Sequence, residues 1–121
     1  RTKMGDRAVV LFEDDNEIQG YAVYFHWAGQ EGVESLYQKT LEYMGDCADD
    51  VPYFAARFVG LAHAEMDGQT GLGMLAPPTL EEFSDPAAMA KYSHGDAGVC
   101  VLSPATKAIR WIEGTGYGAS K

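Results

Sequence analysis

Basic residues are scarce in this chain. Nine Lys and Arg stand against eighteen Asp and Glu, and the formal net charge is −9. So acidic a surface repels phosphate backbones, which argues against direct binding of nucleic acid and leaves a basic partner, or simple solubility, as the meaning of the charge. Long apolar runs are also missing. Nothing approaches the roughly 20 residues that cross a bilayer, and the stretch over residues 8–12 is too short for the core of a signal peptide. The expectation is a cytoplasmic chain with no membrane partner.

Cysteine is nearly absent. Cys47 and Cys100 are the two present, too few and too far apart for a disulfide framework. Cys100 sits in an apolar run and reads as a small core residue. Cys47 sits in an acidic turn, where negative charge disfavours a thiolate nucleophile. The three histidines, His26, His63 and His94, keep none of the spacings of a zinc helix or knuckle, and no Cys-x-x-Cys occurs. The weak candidates for a metal are His26, His94 and Asp96. No Gly-x-Ser-x-Gly elbow is present. The glycine-rich segments 68–73 and 114–118 lack the following helix and lysine of a phosphate loop. No cofactor and no catalytic residue is expected, and the balance leans away from an enzyme.

What is present is the pattern of one α+β domain over residues 4–113. Arg1-Thr2-Lys3 ahead of Met4 read as a cloning remnant, and 114–121 read as a flexible tail. Without Arg1 and Lys3 the formal charge falls from −9 to −11. Residues 8–13 and 18–27 predict two strands joined by the turn residues Asp14-Asp15-Asn16. Tyr21, Val23, Phe25 and Trp27 alternate onto one face, the expected core side, with Ile18, Ala22, Tyr24 and His26 on the other. After a loop over 28–32, Val33, Leu36, Tyr37, Leu41 and Met44 fall on one helical stripe, which Gly45 ends. Asp49-Asp50-Val51-Pro52 open a second helix reaching Met66, apolar almost all round and therefore expected to be the buried central one. A short strand over 71–76, a loop over 77–95 broken by three prolines, and strands over 97–102 and 108–113 complete the chain. One or two helical turns are expected near 87–92. The order predicts a mostly antiparallel sheet with two helices packed on one face.

If helices cover one face alone, Phe12, Tyr24, His26 and Ile112 are expected to gather on the other as an aromatic patch rimmed by charge. With Asp14 and Asp15 they form the candidate partner-binding set. The competing reading has the 77–95 loop folding over that face.

Met4-Gly5-Asp6-Arg7-Ala8, the strand end Tyr24-Phe25-His26-Trp27, the helix start Pro52-Tyr53-Phe54-Ala55-Ala56-Arg57 and the turn Thr70-Gly71-Leu72-Gly73 resemble uncharacterised small proteins of phages and prophages. That resemblance implies a mobile-element origin and carries no chemistry with it. The functional expectation is an acidic phage-type accessory protein that binds a protein partner and inhibits a host defence or nucleic-acid-handling protein. The alternatives are a small metal-dependent or ligand-binding enzyme and a homo-oligomeric structural protein.

Overall fold

The computed structural model describes residues 7–26, 28–66, 72–85, 87–88 and 98–112. Five strands form one mixed, mostly antiparallel sheet: β1 (Ala8–Asp14), β2 (Glu17–Phe25), β3 (Leu72–Leu75), β4 (Gly98–Ser103) and β5 (Ala108–Ile112), in the order β3-β2-β1-β4-β5. Two long helices, α1 (Gly29–Met44) and α2 (Val51–Met66), and a single turn, α3 (Leu80–Phe83), accompany it. The fold class is the expected α+β. β1 and β4 run parallel, and the other neighbouring pairs run antiparallel.

The hairpin β1–β2 closes through Asp15 and Asn16, whose φ values of 55° and 67° place both central residues in the left-handed region. That is the two-residue turn whose twist matches paired strands, and Asp and Asn tolerate it where most side chains do not. Between β4 and β5, Pro104 follows Ser103, and Thr106 N donates to Ser103 O at 3.1 Å. Both turns lie at the same end of the sheet, because β1 and β4 point the same way.

Register fixes what each face carries. Val10 pairs with Val23 and Cys100, and these belong to the core cluster beneath the helices, as do Phe12 and Leu102. The opposite face holds the row Tyr24–Val9–Val99–Ile112 and, beside it, Ala22–Leu11–Val101.

α1 starts at Gly29, earlier than the glycines at 29 and 32 had predicted. Gly32 N donates to Ala28 O at 3.2 Å, and Glu31 lies in the first turn, where the helix dipole favours a negative charge. Gly45, at φ 57°, ends the helix in a conformation that a side chain resists, and its N–H returns to Leu41 O. Tyr37 locks α1 onto β5 through a 2.8 Å bond from its hydroxyl to Ala108 O.

α2 is not the buried central helix its composition had suggested. Val51, Phe54, Ala55, Phe58 and Ala62 are buried, while Tyr53, Ala56, Arg57, Gly60 and His63 are exposed. Small residues on the outer face made it read as apolar all round, yet an exposed alanine or glycine has little to bury. Arg57 reaches the surface as expected, its guanidinium 5.9 Å from the Tyr53 ring centroid. Phe58 is the central contact with the sheet, edge-on to Phe12 at 5.6 Å and to Phe25 at 5.9 Å between ring centroids.

α3 is one helical turn inside the stretch where three prolines argued against a long regular element. Thr79 Oγ1 accepts from Glu82 N at 3.1 Å, and Glu82 Oε1 accepts from Thr79 N at 3.0 Å, a reciprocal capping box. Ala87 and Ala88 are helical as well, at the start of the stretch expected to turn; residues 89–97 lie outside the described set.

Candidate functional site

The expected aromatic patch does not form. Phe12 lies on the helix-covered face, fully buried against Phe58 and Tyr21. The reason is parity: Phe12 is two residues from Val10, so it shares the face of Val10 and Val23, not that of Tyr24. Tyr24 and Ile112 do share the second face, but Val9 and Val99 stand between them in the same row, both with no exposed surface. Three interstrand steps separate the two, roughly 14 Å. Neither long helix contributes to this cluster, yet its central residues Val9, Leu11, Val99 and Val101 are out of solvent. The centre of the sheet is therefore buried on both faces.

His26 follows β2 half-buried, with Nδ1 2.9 Å from the Tyr24 hydroxyl. It serves there as a hydrogen-bonding neighbour of Tyr24. Its suggested metal companions, His94 and Asp96, lie outside the described residues. Among the described residues no group of three or more His, Cys, Asp or Glu is arranged to hold a metal ion.

Of the candidate partner-binding residues, the structure groups Asp14 and Asp15. They line an open cleft of about 640 Å³ at the end of the sheet where both turns lie, together with Glu13, Asp49, Ser103 and Thr106. Three separate chain segments supply these groups: the β1–β2 turn, the approach to α2, and the β4–β5 turn. Glu13 is braced by Ser103 Oγ, which donates to its Oε1 at 2.7 Å, and by Arg110, whose Nη1 lies at 3.4 Å. Asp15 is held by the backbone of the tight turn. Asp14 and Asp15 thus present charge beside a braced strand end, and Asp49 adds a third carboxylate from the approach to α2.

Glu13, Asp49, Ser103 and Thr106 were not singled out from the sequence for this role. Asp49-Asp50 was visible as the acidic opening of α2, but only the packing of α2 against β1 brings Asp49 beside Asp14-Asp15.

A second concavity adjoins the first. An apolar groove of about 460 Å³ runs between α2 and the outer strands, with Phe12 and Val23 as floor, Ala56 and Val59 on the helix side, and Met74 of β3 opposite. Tyr21 also lines it, and its hydroxyl is buried with no hydrogen-bond partner among the described residues. Burial raises the pKa of that hydroxyl, keeping it protonated, and the nearby Asp14 and Asp50 carboxylates push in the same direction.

No helix among the described residues is long and apolar enough to cross a membrane. No protein family, no curated protein and no solved structure matches this chain.

Proposed function

We propose that this chain is an accessory protein that acts by binding another protein, engaging a basic surface of that partner through the cleft formed by Glu13, Asp14, Asp15 and Asp49. The observation that carries this reading is the convergence of carboxylates from separate segments on one open, braced cleft. Holding like charges together opposes folding, so a charged cleft fits a role in recognition better than one in stability. The carboxylates ring a concavity instead of converging on a point, which suits several Lys and Arg side chains at once. The finer form of the proposal follows the resemblance to phage small proteins. The partner is then a host defence or nucleic-acid-handling protein, and the carboxylates occupy positions that phosphates otherwise take in its basic groove.

The test is an affinity pull-down from bacterial lysate at low and high salt, with the triple variant Asp14→Asn, Asp15→Asn, Asp49→Asn as the matched bait. Charges across such an interface are screened over about 10 Å at 0.1 M salt. The expected result is a partner retained by the unaltered protein at low salt, released at high salt and missed by the variant. Retention indifferent to both salt and the triple substitution overturns the proposal.

A further inference from the structure

The acidic cleft and the apolar groove share no lining residue, but both draw on the end of β1 and on the segment that leads into α2. On β1, Phe12 lies in the floor of the groove and Asp14, two residues on, in the cleft. That step is roughly 7 Å of strand. On the helix side Asp49 lines the cleft, while Pro52, at the first turn of α2, lines the groove. Tyr21 stands at the junction, lining the groove while its hydroxyl feels the charges of Asp14 and Asp50. From Pro52 to Val59 the helix wall spans eight residues, about 10 Å of rise. The groove can seat one or two bulky side chains.

We infer that this composite surface docks a short segment of the partner in which one or two bulky apolar residues are followed by Lys or Arg. The apolar side chains lie between Val59 and Met74, and the cations reach Asp14, Asp49 and Asp50. This rests on the protein-binding reading above and names the chemistry of the recognised segment. Two observations set the occupant. The groove is apolar and open, with Met74 57% exposed on its rim, and it ends in carboxylates and not in bases. A second copy of the chain is a poor match, since at −9 each copy would meet its own sign of charge.

The experiment compares two fluorescein-labelled probes, a short peptide of alternating leucine and lysine pairs and a lysine homopeptide of equal charge, by anisotropy at low salt. Ala56→Gln and Met74→Gln are neutral changes at exposed positions on the groove, so the fold and the charge are both kept. The expected result is that each weakens the leucine–lysine peptide by about tenfold, the loss of one seated aliphatic side chain, and leaves the lysine homopeptide unchanged. Equal binding of the leucine–lysine peptide to these variants and to the unaltered protein overturns the groove proposal, even where both probes still depend on Asp14, Asp15 and Asp49. If the lysine homopeptide fails to bind and the triple aspartate variant behaves like the unaltered protein, the cleft reading fails instead. A dimer in sedimentation that Ala56→Gln dissociates assigns the groove to a second copy and also overturns the inference.

Discussion

Ser103 Oγ donates a 2.7 Å hydrogen bond to Glu13 Oε1, tying together the ends of the two parallel strands β1 and β4. Both turns that frame the acidic cleft spring from this point. A hydrogen bond to a charged acceptor contributes more than a neutral one, and the Glu13 side chain is only 17% exposed. Ser103→Ala is therefore expected to lower stability by about 1–2 kcal/mol in urea denaturation. Arg110→Ala, which removes a half-exposed ion pair of 3.4 Å, is expected to cost less than about 0.5 kcal/mol. If the order is reversed, the Ser103 bond is not the brace of this end.

Phe12 belongs to the core and not to an interface. Its ring fills the space between Phe58 and Tyr21 with no exposed surface. Phe12→Ala is expected to destabilise by about 3–5 kcal/mol, the range for truncating a buried aromatic. Tyr24→Ala, at a half-buried position, is expected to cost clearly less. Denaturant midpoints of the two variants decide this; equal losses would place Tyr24 in the core as well.

Much of the fold was legible in residue patterns. The stripe Val33, Leu36, Tyr37 and Leu41 does face the sheet, and Tyr21, Val23 and Phe25 do point towards the helices, while Trp27, expected with them, lies outside the described residues. Burial on both sides of the sheet was legible too, but in a signal of another kind. Residues 8–12 and 98–102 are apolar without alternation, the pattern of strands covered on both faces, and they form the parallel pair. Because both faces of this run are apolar, alternation within it leaves open which face meets the helices, and only the pairing of Val10 with Val23 puts Phe12 on the core side. The cleft was not legible, because Asp14 and Asp49 meet only through tertiary packing, and no local pattern encodes which strand ends align.

The capping box at Thr79 was a local signal that the neighbouring prolines obscured. Thr-x-x-Glu at 79–82 satisfies two backbone donors at the start of α3. Thr79→Ala is expected to cost about 1 kcal/mol of local helix stability. Hydrogen exchange at residues 81–84 should accelerate while the amides of β1 and β4 keep their protection. Acceleration throughout the sheet would mean that α3 and the core unfold as one unit.

Stability should be lost on the alkaline side. Burial raises the pKa of the Tyr37 hydroxyl and of the Cys100 thiol in the folded state, so both resist ionisation there, with the nearby Cys100 and Glu34 charges adding respectively. The unfolded chain releases these protons near the ordinary values of 10.0 for Tyr and 9.0 for Cys. Below those values both states hold the protons, and the stabilisation is complete. Above them the unfolded state binds fewer, so stability falls as pH rises, by up to about 1.4 kcal/mol per pH unit for each group. Tyr37→Phe is expected to reduce the slope above pH 10. At neutral pH it should cost about 0.5–1 kcal/mol, since Ala108 O loses its donor at a position water can reach. Melting temperatures across this range test both effects, and a flat alkaline limb would contradict them.

Asp15 sets recognition against stability within one residue. It occupies a left-handed position in the β1–β2 turn, φ 55°, which Asn adopts more readily than Asp. Its carboxylate also stands with Asp14 and Asp49 around the cleft, so its charge is opposed by its own neighbours. Asp15→Asn keeps the size and turn chemistry of the side chain while removing one charge. It is expected to raise stability by a few tenths of a kcal/mol, as exposed like-charge pairs are worth no more than that in screened solvent. The same change should weaken a lysine-rich ligand and flatten its salt dependence, because one fewer carboxylate is engaged. Denaturation and anisotropy on one preparation give both numbers. Stability rising while affinity falls means that the carboxylate is kept for binding. If stability falls, Asp15 is a turn residue first, and the recognition must be carried by Asp14 and Asp49.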